Sequence, residues 1–194
     1  MLSRRSFLNS VLAGSAAGGI GVPHIDVARA EAVLTEDGFY REPWFLESFL
    51  ELADDLAAAG EKKKRLAIMW ELRGCPYCKE THLVNFAKPE ITNFIKDRFE
   101  ILQLNIIGSR EVTDFDGTKL SEKALARKYD VRYTPTFQFF PDSAAGLAGK
   151  PPQQREVARA QGYLEPPHFL AMFRYVSERA YEKGTLRDFL KANS

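Results

Sequence analysis

The chain has 194 residues, 45% of them hydrophobic and 27% charged, with 27 basic against 26 acidic side chains and two cysteines. That length suits one well-packed domain and is short for two. The near-neutral balance gives no electrostatic reason to expect nucleic acid or an anionic membrane as partner, no apolar run reaches the roughly 18 residues of a membrane-crossing helix, and two cysteines are too few for a disulfide scaffold.

The first thirty residues read as an export segment. Ser3-Arg4-Arg5-Ser6-Phe7-Leu8 is followed by a mildly apolar "VLAGSAAGGIGV" and closes on "ARA", Ala28 to Ala30. A charged start, a short apolar middle and a small-x-small end are the three parts of a cleavable signal, and the paired arginines resemble the twin-arginine address, with Asn9 where such signals usually carry Lys. Residues 1–30 are therefore expected to be a signal peptide and 31–194 the mature domain, located in the periplasm. Cleavage removes Arg4, Arg5, Arg29 and Asp26 and leaves a formal charge of −1.

Beyond it, Pro43 stands where a helix can begin, and Phe45, Phe49, Leu52, Ala53 and Leu56 recur at helical spacing up to Gly60. One amphipathic helix is expected there. "EKKKR", residues 61–65, reads as a solvated turn. "LAIMWEL", Leu66 to Leu72, has the length and flanks of a strand buried on both faces. It runs directly into "CPYC", after which "KETHLVNFAKPEITNFIKDRF" reads as a helix interrupted near Pro89. Phe99 to Leu104 is a second strand, and 105–120 is irregular, with Asp116-Gly117 favouring a hairpin turn. Ser121 caps a helix to about Tyr129. Thr134 to Phe140 and Arg155 to Tyr163 are two further strands flanking a Gly/Pro-rich loop. Two helices close the chain, one bearing Phe169, Leu170, Phe173 and Val176, the other Leu186, Phe189 and Leu190. Strand-helix-strand implies a parallel pair and adjacent late strands an antiparallel one, so the expected fold is α/β: a central mixed sheet of four to five strands flanked by helices.

Both cysteines, Cys75 and Cys78, sit where the first strand meets its helix. In open sheets, sites form beyond the carboxyl ends of strands. Pro76 suits the first helical position, which places Cys75 at the helix N-terminus, where unpaired N–H groups and the dipole favour a thiolate. Cys78 lies one turn on, on the same face. A ring closed over so few residues removes little chain entropy, so the spacing favours reversible redox chemistry over a structural staple. Covalent haem attachment would need His where Lys79 stands. A metal site could draw on Cys75, Cys78 and His82, with His168 as a distant fourth ligand, but there is no second metal-like pair; a helical His of this kind is by default a surface or packing residue. "TDFDG", Thr113 to Gly117, lacks the remaining ligands of a calcium loop and reads as a turn.

The order signal, strand, "CPYC", helix and a later "VRYTPTFQFF" resembles the thioredoxin superfamily over about Trp44 to Leu190. Within it, "GCPYCKETH" and "REVTDFDGTKLSEKALARKYDVRYTPT" resemble the exported SoxW-like thioredoxins of bacterial sulfur oxidation. The resemblance implies that Cys75 is the exposed nucleophile and Cys78 the resolving thiol. It further implies that Pro135 follows a cis bond beside the cysteines, and that Thr134, Pro135, Pro76 and Tyr77 face the substrate. Thr134 would offer its backbone to an extended client segment. Thioredoxins carry a buried acid six residues before the first cysteine; Met69 stands there in this chain. Glu71 and Glu80 are near in sequence and are expected to be solvated. The Pro-Tyr dipeptide is one typical of glutaredoxins, so the redox potential is not carried over.

The implied activity is that of a periplasmic thiol-disulfide oxidoreductase acting as a reductant. Its expected partners are disulfide-bearing clients of sulfur oxidation or cytochrome maturation and a membrane thiol carrier as electron donor, with no cofactor, no nucleic acid and no stable membrane insertion. Three alternatives stand beside it: a disulfide donor or isomerase, a copper(I) metallochaperone using Cys75, Cys78 and His82, and a catalytically silent adaptor.

Overall fold

Strand β3, Arg65–Glu71, is buried along all seven residues, and the rest of the fold is arranged to cover it. The computed structural model describes residues 32–192; the expected export segment, 1–30, lies outside the described residues. Side chains alternate across a strand, so Leu66, Ile68 and Trp70 enter one apolar cluster and Ala67 and Met69 the other. Strand β4, Phe99–Asn105, pairs with β3 in parallel; β7, Thr136–Phe139, pairs on its other side antiparallel, and β8, Ala158–Gln161, completes the order β4-β3-β7-β8. The expected mixed sheet is thus present with four strands.

Helices α1, Leu52–Glu61, and α4, Glu122–Lys128, cover the face that holds Trp70. The opposite face carries α3, Pro89–Arg98, and α5, Pro166–Ser177, through Ile91, Ile95, Phe169, Met172 and Phe173. Each such side chain contributes roughly 1.5–3 kcal/mol of burial free energy. Helix α6, Leu186–Ala192, packs on α5. Ser121 accepts the Ala124 N–H at 3.2 Å and caps α4 as its sequence suggests. Two short hairpins stand outside the sheet: β1, Val33–Leu34, with β2, Tyr40–Arg41, and β5, Glu111–Thr113, with β6, Lys119–Ser121. The turn at Asp116-Gly117 is where expected, with Gly117 at φ 77°; the stretch around it, expected to be irregular, folds into β5 and β6. None of the helices among the described residues is long and apolar enough to cross a membrane.

Two expectations are corrected. The helix anticipated over 43–60 begins only at Leu52, because Leu50 takes a left-handed φ of 65° and Glu51 is extended, bridging to Thr113. Phe45 packs on the opposite side of the sheet from Leu52 and Leu56, and Phe49 is 99% exposed, so their helical spacing does not mark one face. The turn at 61–65 is also shorter than expected. Arg65 belongs to β3 and pairs with Asp142 at 2.6 Å.

The turn of the β5–β6 hairpin is fastened to the loop before β8 by a buried cation. Arg155, 3% exposed, donates to Asp114 and Asp116 at 2.8 Å each and to the Lys150 carbonyl at 2.9 Å. Lys128 reaches both carboxylates at 2.6 Å. The acidic residues of "TDFDG" are therefore spent on internal pairing. Burial pushes the Asp116 carboxyl up, but hydrogen bonds from Lys128, Arg155 and Thr118 hold it well below the usual carboxylate range. Removing one partner of a buried pair leaves the other charge uncompensated. Arg155→Met should cost about 3 kcal/mol in urea unfolding at neutral pH. The loss should narrow as pH falls below about 3.9, because a depressed carboxylate stabilises the fold only while it is ionised. A loss under about 1 kcal/mol would show the network to be incidental.

Candidate active site

Where β3 ends, Leu72 to Cys75 make a tight turn closed by the Cys75 N–H donating to the Leu72 carbonyl at 3.0 Å. Gly74 takes φ 78° there, a conformation that disfavours any residue with a Cβ. Cys75 is extended and caps α2, Pro76–Glu80, which opens on Pro76 and runs on through a π-helical turn, Thr81–Asn85. The Cys78 N–H points back at the Cys75 sulfur at 3.1 Å. The two sulfurs form a disulfide with Cα atoms 5.3 Å apart, inside the usual range. Cys78 is buried at 4% exposure, whereas Cys75 is half-buried, Pro76 is exposed and Tyr77 is 56% exposed.

The segment before β7 meets the motif from across the sheet. The Thr134-Pro135 bond is cis, as the resemblance implies. The Thr134 carbonyl oxygen lies 3.6 Å from Cys75 Sγ, and its hydroxyl donates to the same sulfur at 3.4 Å. Pro135 is buried, and its carbonyl accepts the Gly162 N–H at 2.8 Å, tying this segment to the end of β8. Tyr133 is 64% exposed, and Tyr77 stacks on Tyr163 with centroids 6.2 Å apart. Cys75, Pro76, Tyr77 and Thr134 thus gather at one end of the sheet, with Pro135 beneath them.

Behind the cysteines is a buried polar cluster. His82, 1% exposed, places Nδ1 3.0 Å from Glu42 and Nε2 3.2 Å from Glu71. Gln103 Nε2 donates to the second oxygen of Glu71 and, at 2.7 Å, to the Tyr40 carbonyl. Burial pushes the His82 imidazole down; the hydrogen bonds to Glu42 and Glu71 outweigh it and hold its pKa above the ordinary histidine value.

This corrects two readings of the sequence. Glu71, expected in solvent, is 1% exposed because position 71 continues the inward face of β3 set by Ala67 and Met69. Glu80 is exposed as expected. His82 is neither a surface residue nor an apolar packing residue. Both its nitrogens are occupied by carboxylates, which leaves it no free atom for a metal shared with the cysteines, and His168 sits exposed on α5. Among the described residues no group of three His, Cys, Asp or Glu side chains is placed to hold a metal ion. Glu42 was not recognised from sequence: it lies in a short irregular stretch with no periodicity to mark it.

The comparisons agree with this geometry. The thioredoxin-like domain family matches residues 52–177. No curated protein matches. Among solved structures, a thioredoxin-fold protein from Helicobacter pylori is 20% identical, with a TM-score of 0.55 over 72% of this chain and 97% of that one. A thioredoxin from Thermus thermophilus is 24% identical over 65% of this chain and 83% of its own, with a TM-score of 0.47. The first of these shares the fold. With a mixed four-stranded sheet between helix layers, a Cys75–Cys78 disulfide at the end of β3 and a family match over most of its length, the chain belongs to the thioredoxin-like domain family.

Proposed function

We propose that this protein is an exported thiol-disulfide oxidoreductase that reduces disulfides in client proteins. The observation that carries the reading is the environment of one sulfur. Cys75 Sγ sits at a helix start, accepts the Cys78 N–H at 3.1 Å and the Thr134 hydroxyl at 3.4 Å, and has its partner sulfur buried behind it. Hydrogen bonds and a helix N-terminus favour the thiolate, the form that attacks.

In the reduced protein, the Cys75 thiolate attacks one sulfur of a client disulfide and the other client sulfur leaves with the electron pair. Cys78 then attacks Cys75. The mixed disulfide breaks, the Cys75–Cys78 bond forms, and the client departs as a dithiol carrying two electrons. A dithiol on a membrane carrier restores the reduced state. Thr134, Pro76 and Tyr77 form the surface against which the client lies, with the buried Pro135 holding Thr134 in place beneath it and the Thr134 backbone pairing with an extended client segment. Export to the periplasm rests on residues 1–30. Clients in sulfur oxidation or cytochrome maturation rest on the resemblance to SoxW-like proteins.

The reverse flow, donation of the disulfide to clients, uses the same atoms and is separated by the reduction potential, where about 30 mV changes the equilibrium tenfold. The copper(I) reading loses its third ligand to the Glu42 and Glu71 carboxylates.

Two outcomes are expected. Cys78→Ser, expressed with the export segment in cells, should accumulate reductant-sensitive mixed disulfides on Cys75, and Cys75→Ser should not; an absence of captured proteins from Cys78→Ser counts against the reductase. Copper(I) affinity of the reduced protein should change by less than about 3-fold on His82→Ala, a loss well below that of a removed ligand. A loss of about 100-fold would restore the metallochaperone.

A further inference from the structure

Phe49 is 99% exposed, yet the backbone that carries it is tied down. The Leu50 N–H donates to the Ser48 hydroxyl at 2.7 Å, that hydroxyl donates to Asp55 at 2.6 Å, and the Leu50 carbonyl accepts the Thr113 N–H at 2.8 Å. Leu50, left-handed at φ 65°, enters the apolar cluster beneath α1 while its neighbour stands in water. A lone apolar side chain at a surface is ordinary; a whole phenyl ring held out on a strained, hydrogen-bonded backbone points to an interaction. The ring has an acidic collar. Residues 46–56 hold Glu47, Glu51, Asp54 and Asp55 and no base. Arg41 and Lys119, which face this stretch, pair with Glu47 at 2.8 Å and Glu111 at 3.1 Å, and Glu51 and Asp54 have no ion pair among the described residues.

The complement of this feature lies at the other end of α1, roughly 15 Å along a helix of ten residues. There Gly60 borders a cleft of about 570 Å³ lined by Lys63, Lys64, Arg65 and Arg98 against only two acids, Asp142 and Glu178. Asp142 is already shared by Arg65 and Arg179, and Lys64 is held by Glu100 at 3.0 Å. Lys63 is exposed and has no carboxylate partner among the described residues. The cleft's aromatic member, Phe94, is half-buried, with the Arg98 guanidinium 4.3 Å above its ring. The run "EKKKR", read from the sequence as a solvated turn, thus supplies the wall of a cleft.

We propose that Phe49 of one copy seats in this cleft of a second copy, joining chains head to tail. Charge complementarity names the occupant: an aromatic ring collared by carboxylates fits a cleft rimmed by lysine and arginine, whose long side chains present apolar stems and whose guanidinium attracts a ring face. The sign of each end also suits the dipole of α1, but the exposed ring does not follow from that. Because ring and cleft are different surfaces at opposite ends of one helix, the contact is heterologous and leaves one ring and one cleft free in every joined pair. The proposal goes beyond the oxidoreductase reading and does not depend on it. Neither Phe49 nor the cleft shares a residue with the Cys75 site, and the cleft stands at the first residue of β3, Arg65, whereas the disulfide follows the last.

The test is sedimentation velocity on protein purified from cells expressing the full chain. The weight-average mass of wild type should rise as its concentration is raised from about 10 µM to about 500 µM, since an interface built on one ring is small and weak. Phe49→Asp, which removes the ring, and the pair Lys63→Glu with Arg98→Glu, which reverses the cleft, should each weaken association by about 10-fold or more. All three side chains lie outside the apolar clusters, so the variants keep the fold. Mixed in equal amounts, the two variants should form a complex of two chains and nothing larger, because one supplies the cleft and the other the ring. A wild type that stays monomeric throughout, association unchanged by Phe49→Asp, or a mixture no heavier than its separate components overturns the proposal. Cosedimentation of monomeric wild type with phosphatidylglycerol vesicles, lost on Phe49→Asp, would give the ring to a membrane instead and overturn it as well.

Discussion

A single backbone N–H, that of Cys78, holds the Cys75 sulfur at 3.1 Å, and the rest of the site takes its meaning from that contact. It exists because a strand with no exposed residue is forced to stop. β3 is locked between β4 and β7 by register along its length. Gly74 then reverses the chain within one turn, and Pro76 starts a helix with a proline ring where no N–H is needed. Little of this tolerates drift, because moving β3 by one residue would exchange the faces that enter the two apolar clusters.

The same rigidity explains how Thr134 arrives beside the sulfur. It lies two residues before β7, the strand hydrogen-bonded directly to β3. The Pro135 carbonyl is anchored to Gly162 at the far side. Sheet pairing therefore carries a segment distant in sequence to within 3.6 Å of Cys75 without any dedicated tether.

Much of this was legible in the sequence, and the reasons are local. The buried run ending in "CPYC", the Pro89 interruption, the Ser121 cap and the Asp116-Gly117 turn are signals that neighbouring residues write by themselves. Misreadings arose where distant contacts decide. Phe45 and Phe49 have helical spacing, but a left-handed Leu50 and the Glu51–Thr113 bridge divert the chain before a helix can form. Glu71 and His82 look like solvated or packing residues because nothing in the sequence places Glu42 and Gln103 against them. Glu42, just after β2, reaches His82, and Gln103 on β4 reaches Glu71, tertiary contacts that no spacing records.

The most direct test of the account is the acidity of Cys75 in the reduced protein, read from the pH dependence of its alkylation by iodoacetamide. A sulfur held by the Cys78 N–H and the Thr134 hydroxyl at a helix start should react with a midpoint about one pH unit or more below the free-thiol value of about 8.5. A midpoint at or above about 8.5 would mean that these contacts do not stabilise the thiolate, and the geometry would then have lost its chemical meaning.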